Sequence, residues 1–208
     1  MDGLDYKSAV EHLSKDEKFK PYIEKIELPP RNPSIDIYSG LISSIISQQL
    51  SVKAASTIHG RFIGLFQSEY PHAKELLNLT DIEMRSVGLS RQKTKYVRNV
   101  ALFFQENSLF EKDWSLLSDN EIISLLTKIK GVGKWTVQMI LMFVLKRPDV
   151  FPVLDLGIQH SMVEIYSLKQ EKKELHLKME KLSKKWQPHR TVACLYLWAI
   201  DFGCAQSN

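Results

Sequence analysis

The sequence predicts an all-α fold, and three observations lead to that prediction. Apolar residues recur at three- and four-residue spacings along nearly all of the 208 residues. No stretch alternates apolar and polar residues for long enough to predict a strand. Thr80 with Glu83, and Ser118 with Glu121, match the capping box, in which hydroxyl and carboxylate satisfy each other's free backbone donors at a helix start. The length fits one large domain or two joined lobes.

Each periodic stretch predicts a helix, and polar or proline-rich steps separate the stretches. Ser51 and Ser90 stand where N-cap residues are expected. Residues 29–33 contain three prolines and should form an extended connector, because proline stops helices. The expected helices cover residues 4–13, 37–46, 51–66, 91–104, 135–145, 156–168, 169–185 and 190–202, with two short helices after Thr80 and Ser118.

Composition limits the class of protein. Hydrophobic residues make up 44% and charged residues 25% of the chain, a balance typical of a soluble protein with a core. The net charge of +4 permits a polyanionic partner without demanding one. Two cysteines, Cys194 and Cys204, are too few for an iron–sulfur cluster or a four-cysteine zinc site. On one helix they would lie ~15 Å apart, too far for a disulfide. We therefore expect a reduced, intracellular protein without a membrane role.

The most informative segment is residues 126–136, where Gly131-Val132-Gly133 separates the end of one helix from the start of another. Glycine permits a positive φ and close approach of a ligand. The free N–H groups and the positive dipole end of the following helix attract a phosphate. Lys130 and Lys134 add charge to this turn. The alternative is an ordinary helix–helix turn with a glycine C-cap.

Asp155 is the candidate carboxylate. It follows a largely apolar helix, opens another, and lies 22 residues beyond Gly133. Its structural alternative is a simple N-cap, and both roles are compatible. A carboxylate facing a helix N-terminus is favoured in its charged form, so we expect Asp155 to be ionised at neutral pH.

These residues resemble the helix-hairpin-helix DNA glycosylase superfamily, whose signature is a Gly-x-Gly hairpin followed about one helix later by a catalytic aspartate. The chain looks most like the 3-methyladenine glycosylase II branch, through residues 46–55 (ISQQLSVKAA), 133–136 (GKWT) and 186–193 (WQPHRTVA). The resemblance implies that residues 1–208 form a single glycosylase unit with two helical lobes and an active site in the cleft between them. The expected lobes are residues 37–145, and residues 1–36 with 146–208.

The resemblance implies a monofunctional base-excision-repair enzyme. It would flip an alkylated purine of the 3-methyladenine type out of double-stranded DNA, hydrolyse its N-glycosidic bond and leave an abasic site. Asp155 would stabilise the sugar cation or activate the attacking water. Bifunctional relatives place a lysine where this chain has Trp135, and Lys134 points to another helix face, so Schiff-base chemistry is not expected. The alternative function is a non-enzymatic helix-hairpin-helix DNA-binding protein.

The resemblance also assigns the remaining site residues. Trp135 and Trp198 would line the base pocket by stacking and cation–π attraction, with core packing as their alternative. Met139 and Leu156 replace tyrosines of the better-known bacterial pattern, and we hypothesise that this narrows the range of lesions. Gln49, with Gln48 beside it, would fill the gap left by the flipped base; its alternative is a solvated turn. The other expected DNA contacts are Lys130, Gly131, Val132, Gly133, Lys134 and Thr136.

No cofactor is expected for catalysis, but the family pattern implies a structural sodium or potassium ion on the backbone carbonyls of Thr127, Ile129 and Val132. We expect a monomer, located in the cytoplasm or nucleoid of a bacterium or in the nucleus of a eukaryote. The basic stretch 91–98 is interpreted as a solvated face or, alternatively, as a contact to the DNA backbone. Arg190 would pair with a helix end or with a neighbouring carboxylate.

Overall fold

A computed structural model describes residues 4–28, 35–201 and 203, and over these residues the chain is helical without any β-strand. The all-α prediction is therefore confirmed. The helices in chain order are α1 (Tyr6–Leu13), α2 (Lys20–Lys25), α3 (Ile37–Ser47), α4 (Val52–Ile63), α5 (Ala73–Asn78), α6 (Asp81–Ser86), α7 (Arg91–Glu106), α8 (Asp119–Leu126), α9 (Lys134–Met139), α10 (Leu156–Tyr166), α11 (Lys172–Ser183) and α12 (Arg190–Asp201).

The chain divides into two compact units. We call Ser34–Ile140 the central unit, and Met1–Pro33 together with Leu141–Asn208 the terminal unit. The division after Ile140 falls inside the helix that the sequence predicts over residues 135–145. There α9 passes into a π-helical turn, Ile140–Val144, so the predicted straight helix is interrupted where the units meet in sequence.

Capping chemistry explains where several helices begin. Both predicted capping boxes are confirmed: the Thr80 amide donates to Glu83 Oε2 at 2.7 Å, and the Ser118 amide donates to Glu121 Oε2 at 2.8 Å. These hydrogen bonds lower the pKa of each glutamate. Ser51 and Ser90 cap α4 and α7 through their side chains, as expected.

Some expectations differ from the structure. The short helices α2 and α5 were not predicted, because six residues are too few to show a clear period. The helix predicted over residues 51–66 ends at Ile63, and the charged helix predicted from residue 169 begins at Lys172. The proline-rich connector at 29–33, and Phe202 and Cys204 at the other end, lie outside the described residues. Cys194 is buried in α12.

The core of the central unit lies where α7 crosses the other helices. It packs against α3, α5 and α6, while α3 also packs against α4 and α9, and α8 packs against α9. The Thr94 hydroxyl, on α7, is buried in this core and has no hydrogen-bond partner among the residues that the structure describes. The fully buried apolar residues of α3 and α7 include Leu41, Ile45, Ile46, Val97, Val100 and Ala101.

The terminal unit is built on α12, which packs against α1, α2 and α10. A buried carboxylate, Asp16, lies beneath this packing and accepts hydrogen bonds from the Tyr166 hydroxyl, from Trp186 Nε1 at 3.0 Å and from Lys185 Nζ at 2.7 Å. Burial alone would raise the pKa of Asp16, but these donors outweigh it and hold the pKa below its usual value. Within the described residues, no helix combines the length and apolar character that a bilayer crossing requires.

Candidate active site and DNA-binding hairpin

Asp155 is the N-cap residue of α10, and two donors converge on one of its oxygens. The Ile158 amide donates to Oδ1 at 3.0 Å, as capping predicts. Trp198 Nε1, on α12, donates to the same oxygen at 2.8 Å. The half-buried carboxylate is therefore oriented by two helices at once. The capping role of Asp155 is confirmed.

The indole that holds Asp155 also takes part in an aromatic stack. The ring of Trp198 lies 5.8 Å from that of Phe143, with an angle of 25° between the ring planes. Phe143 is 53% exposed and lies in the π-helical turn. Phe143 cannot be recognised as a site residue from the sequence, because it lies within an apolar run that predicts core packing. The structure thus adds one exposed aromatic face to the site.

A glycine permits the close approach of α10 to α12 at this point. A Cβ on Gly157 would lie 2.9 Å from Asp201 Oδ2 and 3.1 Å from Trp198 Cδ1. The first distance is shorter than real Cβ contacts, so the Asp201 carboxylate would have to move, and the second is tight enough that the Trp198 ring would have to shift by a few tenths of an ångström. Leu156, between Asp155 and Gly157, is 66% exposed, so a residue expected in the substrate pocket lies at the surface of its own unit.

The loop that leads to Asp155 is clamped to the start of α12. Arg190 Nε donates to Asp149 Oδ1 at 2.7 Å and Arg190 Nη2 donates to Asp149 Oδ2 at 2.8 Å, a bidentate ion pair. The Thr191 hydroxyl donates to the Arg147 carbonyl at 2.6 Å and accepts from the Val150 amide at 3.1 Å. Of the two partners considered for Arg190, the neighbouring carboxylate is therefore the observed one.

In the central unit, the hairpin joins α8 to α9 through a glycine that no other residue can replace without strain. Gly131 has φ +106°, and a Cβ there would lie 2.3 Å from Tyr96 Cγ. Asn99 Nδ2 donates to the Lys130 carbonyl at 2.9 Å and ties the turn to α7. Gly133 is the N-cap of α9 and provides no side-chain cap for its first amides.

Next to its glycines, the hairpin exposes lysines and buries its apolar side chains. Lys130 and Lys134 are exposed. Thr136 is only 3% exposed, so its side chain is not available to a ligand at the surface. Val132 and Ile129 are likewise buried. Further along α9, Trp135 is 40% exposed and Met139 only 9% exposed.

The glutamine pair lies in the sharp turn between α3 and α4. Gln49 is exposed and has φ +57°, in the left-handed region, and Gln48 before it is extended. Leu50, the next residue, is an exposed apolar side chain that the sequence analysis did not select. A polar and an apolar side chain therefore project together from one short turn.

The basic stretch 91–98 is neither wholly a solvated face nor wholly available to DNA, because some of its side chains bind other parts of the protein. Lys93 Nζ donates to carbonyls at the end of α3, and Arg98 pairs with Asp81 and with the Leu79 carbonyl. Arg91 and Lys95 are exposed. Two of the cations in this stretch are therefore structural.

Together, the helical fold, the Gly-x-Gly hairpin and the oriented aspartate define a DNA-repair class of helical protein. A model of the HhH-GPD superfamily base excision DNA repair protein matches residues 42–188. The chain therefore belongs to the HhH-GPD superfamily of base excision DNA repair proteins.

Individual relatives agree with this assignment. The chain is 33% identical over 204 residues to the alkylbase DNA glycosidase-like protein of Schizosaccharomyces pombe. The aligned residues cover 94% of this chain and 94% of that protein. It is 32% identical over 168 residues to YfjP of Bacillus subtilis, covering 78% of this chain but spanning only 58% of that protein. The solved structure of the S. pombe 3-methyladenine DNA glycosylase in complex with abasic DNA has a TM-score of 0.80 and 32% identity, covering 92% of this chain and 95% of that chain.

Proposed function

We propose that this protein is a monofunctional DNA glycosylase that removes alkylated purines of the 3-methyladenine type from double-stranded DNA and acts as a monomer. The observation that carries the proposal is the orientation of Asp155 by Ile158 N and Trp198 Nε1. Membership in a base excision repair family, and relatives of similar length named for glycosylase activity, support the same conclusion.

In the proposed reaction, the bond between the anomeric carbon and the purine nitrogen breaks, and the base leaves with the bonding electron pair. An alkylated purine that carries a positive charge leaves as a neutral base, so little protonation of the base is needed. The sugar develops cationic character that the Asp155 carboxylate stabilises, and preorganised electrostatics of this kind contribute several kcal/mol. Water then adds to the anomeric carbon and loses a proton, for which Asp155 is the proposed acceptor.

The proposed outcome is hydrolysis without strand cleavage. A lyase reaction needs an amine nucleophile that forms a Schiff base with the sugar. The position after Gly133-Lys134 holds Trp135, whose indole cannot form one. Borohydride trapping of the protein on substrate DNA should therefore give no covalent complex.

The hairpin and the glutamine turn are the proposed DNA contacts. The first amides of α9, with Lys130 and Lys134, would bind a backbone phosphate. The exposed Gln49 and Leu50 would enter the space that the flipped base leaves, because filling it offsets the loss of stacking. Trp198 and Phe143 would offer their rings to a cationic base.

We also propose a sodium or potassium ion on the carbonyls of Thr127, Ile129 and Val132. Among the backbone hydrogen bonds between described residues outside the helices, the Thr127 and Val132 carbonyls accept none, and the Ile129 carbonyl accepts one from Val132 N at 3.0 Å. A carbonyl oxygen has two lone pairs, so each retains one for a cation. The ion would add positive charge beside the hairpin amides. DNA affinity at constant ionic strength should therefore be higher in potassium or sodium than in tetramethylammonium.

A base-release assay on methylated DNA, with the products resolved by chromatography, tests the proposed activity. Asp155→Asn should slow release by about 100-fold or more while leaving DNA binding intact. Glu164→Gln, on an exposed position of the same helix, is the matched control and should behave as wild type. If wild-type protein binds DNA but releases no base, the non-enzymatic DNA-binding function replaces this proposal.

The same assay tests the range of lesions. Met139 and Leu156 stand where the bacterial pattern has tyrosines, and we expect release of 3-methyladenine to exceed that of bulkier or less labile adducts. Comparable release of 7-methylguanine, hypoxanthine and ethenoadenine would contradict the narrow range without affecting the assignment of Asp155.

A further inference from the structure

Lys93 crosses from α7 to the end of α3 and binds the turn that carries the glutamine pair. Its Nζ donates to the Ile46 carbonyl at 2.7 Å and to the Gln48 carbonyl at 2.8 Å. The last carbonyls of a helix have no partner within the helix, and a cation there is also favoured by the helix dipole. The Lys93 ammonium group therefore caps the C-terminus of α3.

The residue that follows the second of these carbonyls is Gln49. Its left-handed backbone, at φ +57°, is uncommon for a residue with a side chain and persists only where neighbouring contacts enforce it. On the far side of the turn, the Ser51 side chain accepts from the Ala54 amide at 3.3 Å and caps α4. Lys93 on one side and Ser51 on the other therefore fix the conformation of the turn.

The environment of Lys93 differs from that of its neighbours on α7. Arg91 and Lys95 are exposed, whereas Lys93 is half-buried, and burial lowers its pKa. Two of its three N–H donors are used inside the protein. Its position is thus explained by the turn it holds rather than by a general attraction for DNA.

We propose that Lys93 is a positioning residue that holds the Gln48–Gln49 turn in the conformation that enters the gap in damaged DNA. The inference rests on the proposed function, because it assumes that this turn fills the gap. A turn that is already ordered loses less conformational entropy when it binds, so the contact gains affinity. Lys93 would act through the turn and would touch neither the base nor the sugar.

Binding to a duplex with a tetrahydrofuran abasic-site analogue tests this without requiring catalysis. 2-Aminopurine opposite the analogue reports insertion of the turn by its fluorescence. Lys93→Met retains the length of the stem but removes the donors, and should weaken binding to this duplex about tenfold, the size of one charge-assisted hydrogen bond. Binding to undamaged duplex should change less than about twofold. Lys74→Met, an exposed lysine of the same unit, is the matched control and should change neither affinity.

A double-mutant cycle separates positioning from general stability. In a background that carries both Gln49→Ala and Leu50→Ala, Lys93→Met should have little further effect on the abasic duplex, because both side chains proposed to enter the gap are gone. The proposal would be overturned if Lys93→Met lowered the affinity for the abasic duplex by the same factor in that background. It would also be overturned if Lys93→Met weakened binding to undamaged DNA as much as binding to the abasic duplex. If Lys93→Met lowers the unfolding midpoint below the assay temperature, Lys93→Gln takes its place, with an intermediate loss expected from its shorter amide.

The role of Lys93 and the proposed glycosylase activity can be refuted separately, because the binding experiment does not require base release. A wild-type protein that releases no base but prefers the abasic duplex would contradict the proposed activity, and a selective loss of that preference in Lys93→Met would still support the role of Lys93. A wild-type protein that binds abasic and undamaged duplexes equally would overturn the role of Lys93, whatever its activity.

Discussion

Replacing Gly131 by alanine should destabilise the central unit by an amount that follows from two separate observations. The φ of +106° lies in a region that costs an L-residue roughly 1–2 kcal/mol. The new Cβ would also lie 2.3 Å from Tyr96 Cγ and 2.6 Å from both Cδ atoms, whereas carbon atoms normally pack at about 3.5–4.0 Å. The ring must move, and overpacking of this kind costs about 1–3 kcal/mol.

The two contributions together predict a loss of about 3 kcal/mol for Gly131→Ala. For a chain of this length, 1 kcal/mol corresponds to roughly 2–4 °C, so the unfolding midpoint should fall by about 6–12 °C. Thermal unfolding followed by circular dichroism, with urea unfolding at 25 °C as a second measurement, tests this magnitude.

Gly133→Ala is the matched control two residues away. Gly133 has φ −95°, and a Cβ there would meet no atom within 4 Å. The free energy of unfolding of the Gly133→Ala variant should therefore stay within about 0.5 kcal/mol of that of the wild type. Adding Tyr96→Ala to Gly131→Ala should relieve the clash between the new Cβ and the tyrosine ring. The free-energy cost of the positive φ should remain. Equal destabilisation by Gly131→Ala and Gly133→Ala would refute the reasoning, because neither the backbone angle nor the tyrosine ring would then be responsible.

Three further predictions concern other parts of the molecule. Trp198→Phe keeps a ring but removes the N–H donor at 2.8 Å from Asp155 Oδ1, so base release should slow about tenfold with DNA binding unchanged. Asp16→Asn should make the free energy of unfolding depend less on pH in the acid range. Because the folded pKa of Asp16 lies below its unfolded value, its contribution is present above about pH 4 and is lost as the pH falls further. Thr94→Val should stabilise the protein by about 1 kcal/mol, because it removes a buried hydroxyl for which the described part of the chain offers no hydrogen-bond partner.

Each of these predictions has its own measurement and control. Single-turnover kinetics separate release from binding for Trp198→Phe, and a rate equal to wild type would show that the hydrogen bond is dispensable. Urea unfolding between pH 3 and pH 7 compares Asp16→Asn with wild type, and parallel curves would contradict the lowered pKa. Thr191→Val is the control for Thr94→Val: its equally buried hydroxyl makes two hydrogen bonds, so this change should destabilise.

The features predicted correctly are those that depend on a few consecutive residues. The capping boxes at Thr80 and Ser118 and the N-cap role of Asp155 follow from side chains that reach backbone amides three residues away. The need for glycine at position 131 follows from the same local geometry of a helix–helix turn. The family resemblance depends on these local motifs too, and the match over residues 42–188 confirms it.

Local periodicity could not show where the helix predicted over residues 135–145 changes character. The apolar run satisfies any helical pattern equally well, so it does not distinguish a straight α-helix from one that passes into a π-helical turn. The exposed position of Phe143 follows from that turn. Leu156 was placed in a pocket by its motif position, and only the packing of α10 shows how exposed it is.

The amino-acid sequence thus contains the helical fold, the hairpin and the candidate carboxylate, because spacing, capping and glycine geometry act within a few residues. Tertiary structure alone decided the partners of those groups. Trp198 reaches Asp155 across 43 residues, and Lys93 reaches the Gln48 carbonyl across 45. Such pairs depend on which helix faces pack together, and that choice is set by burial of the whole core rather than by any local pattern.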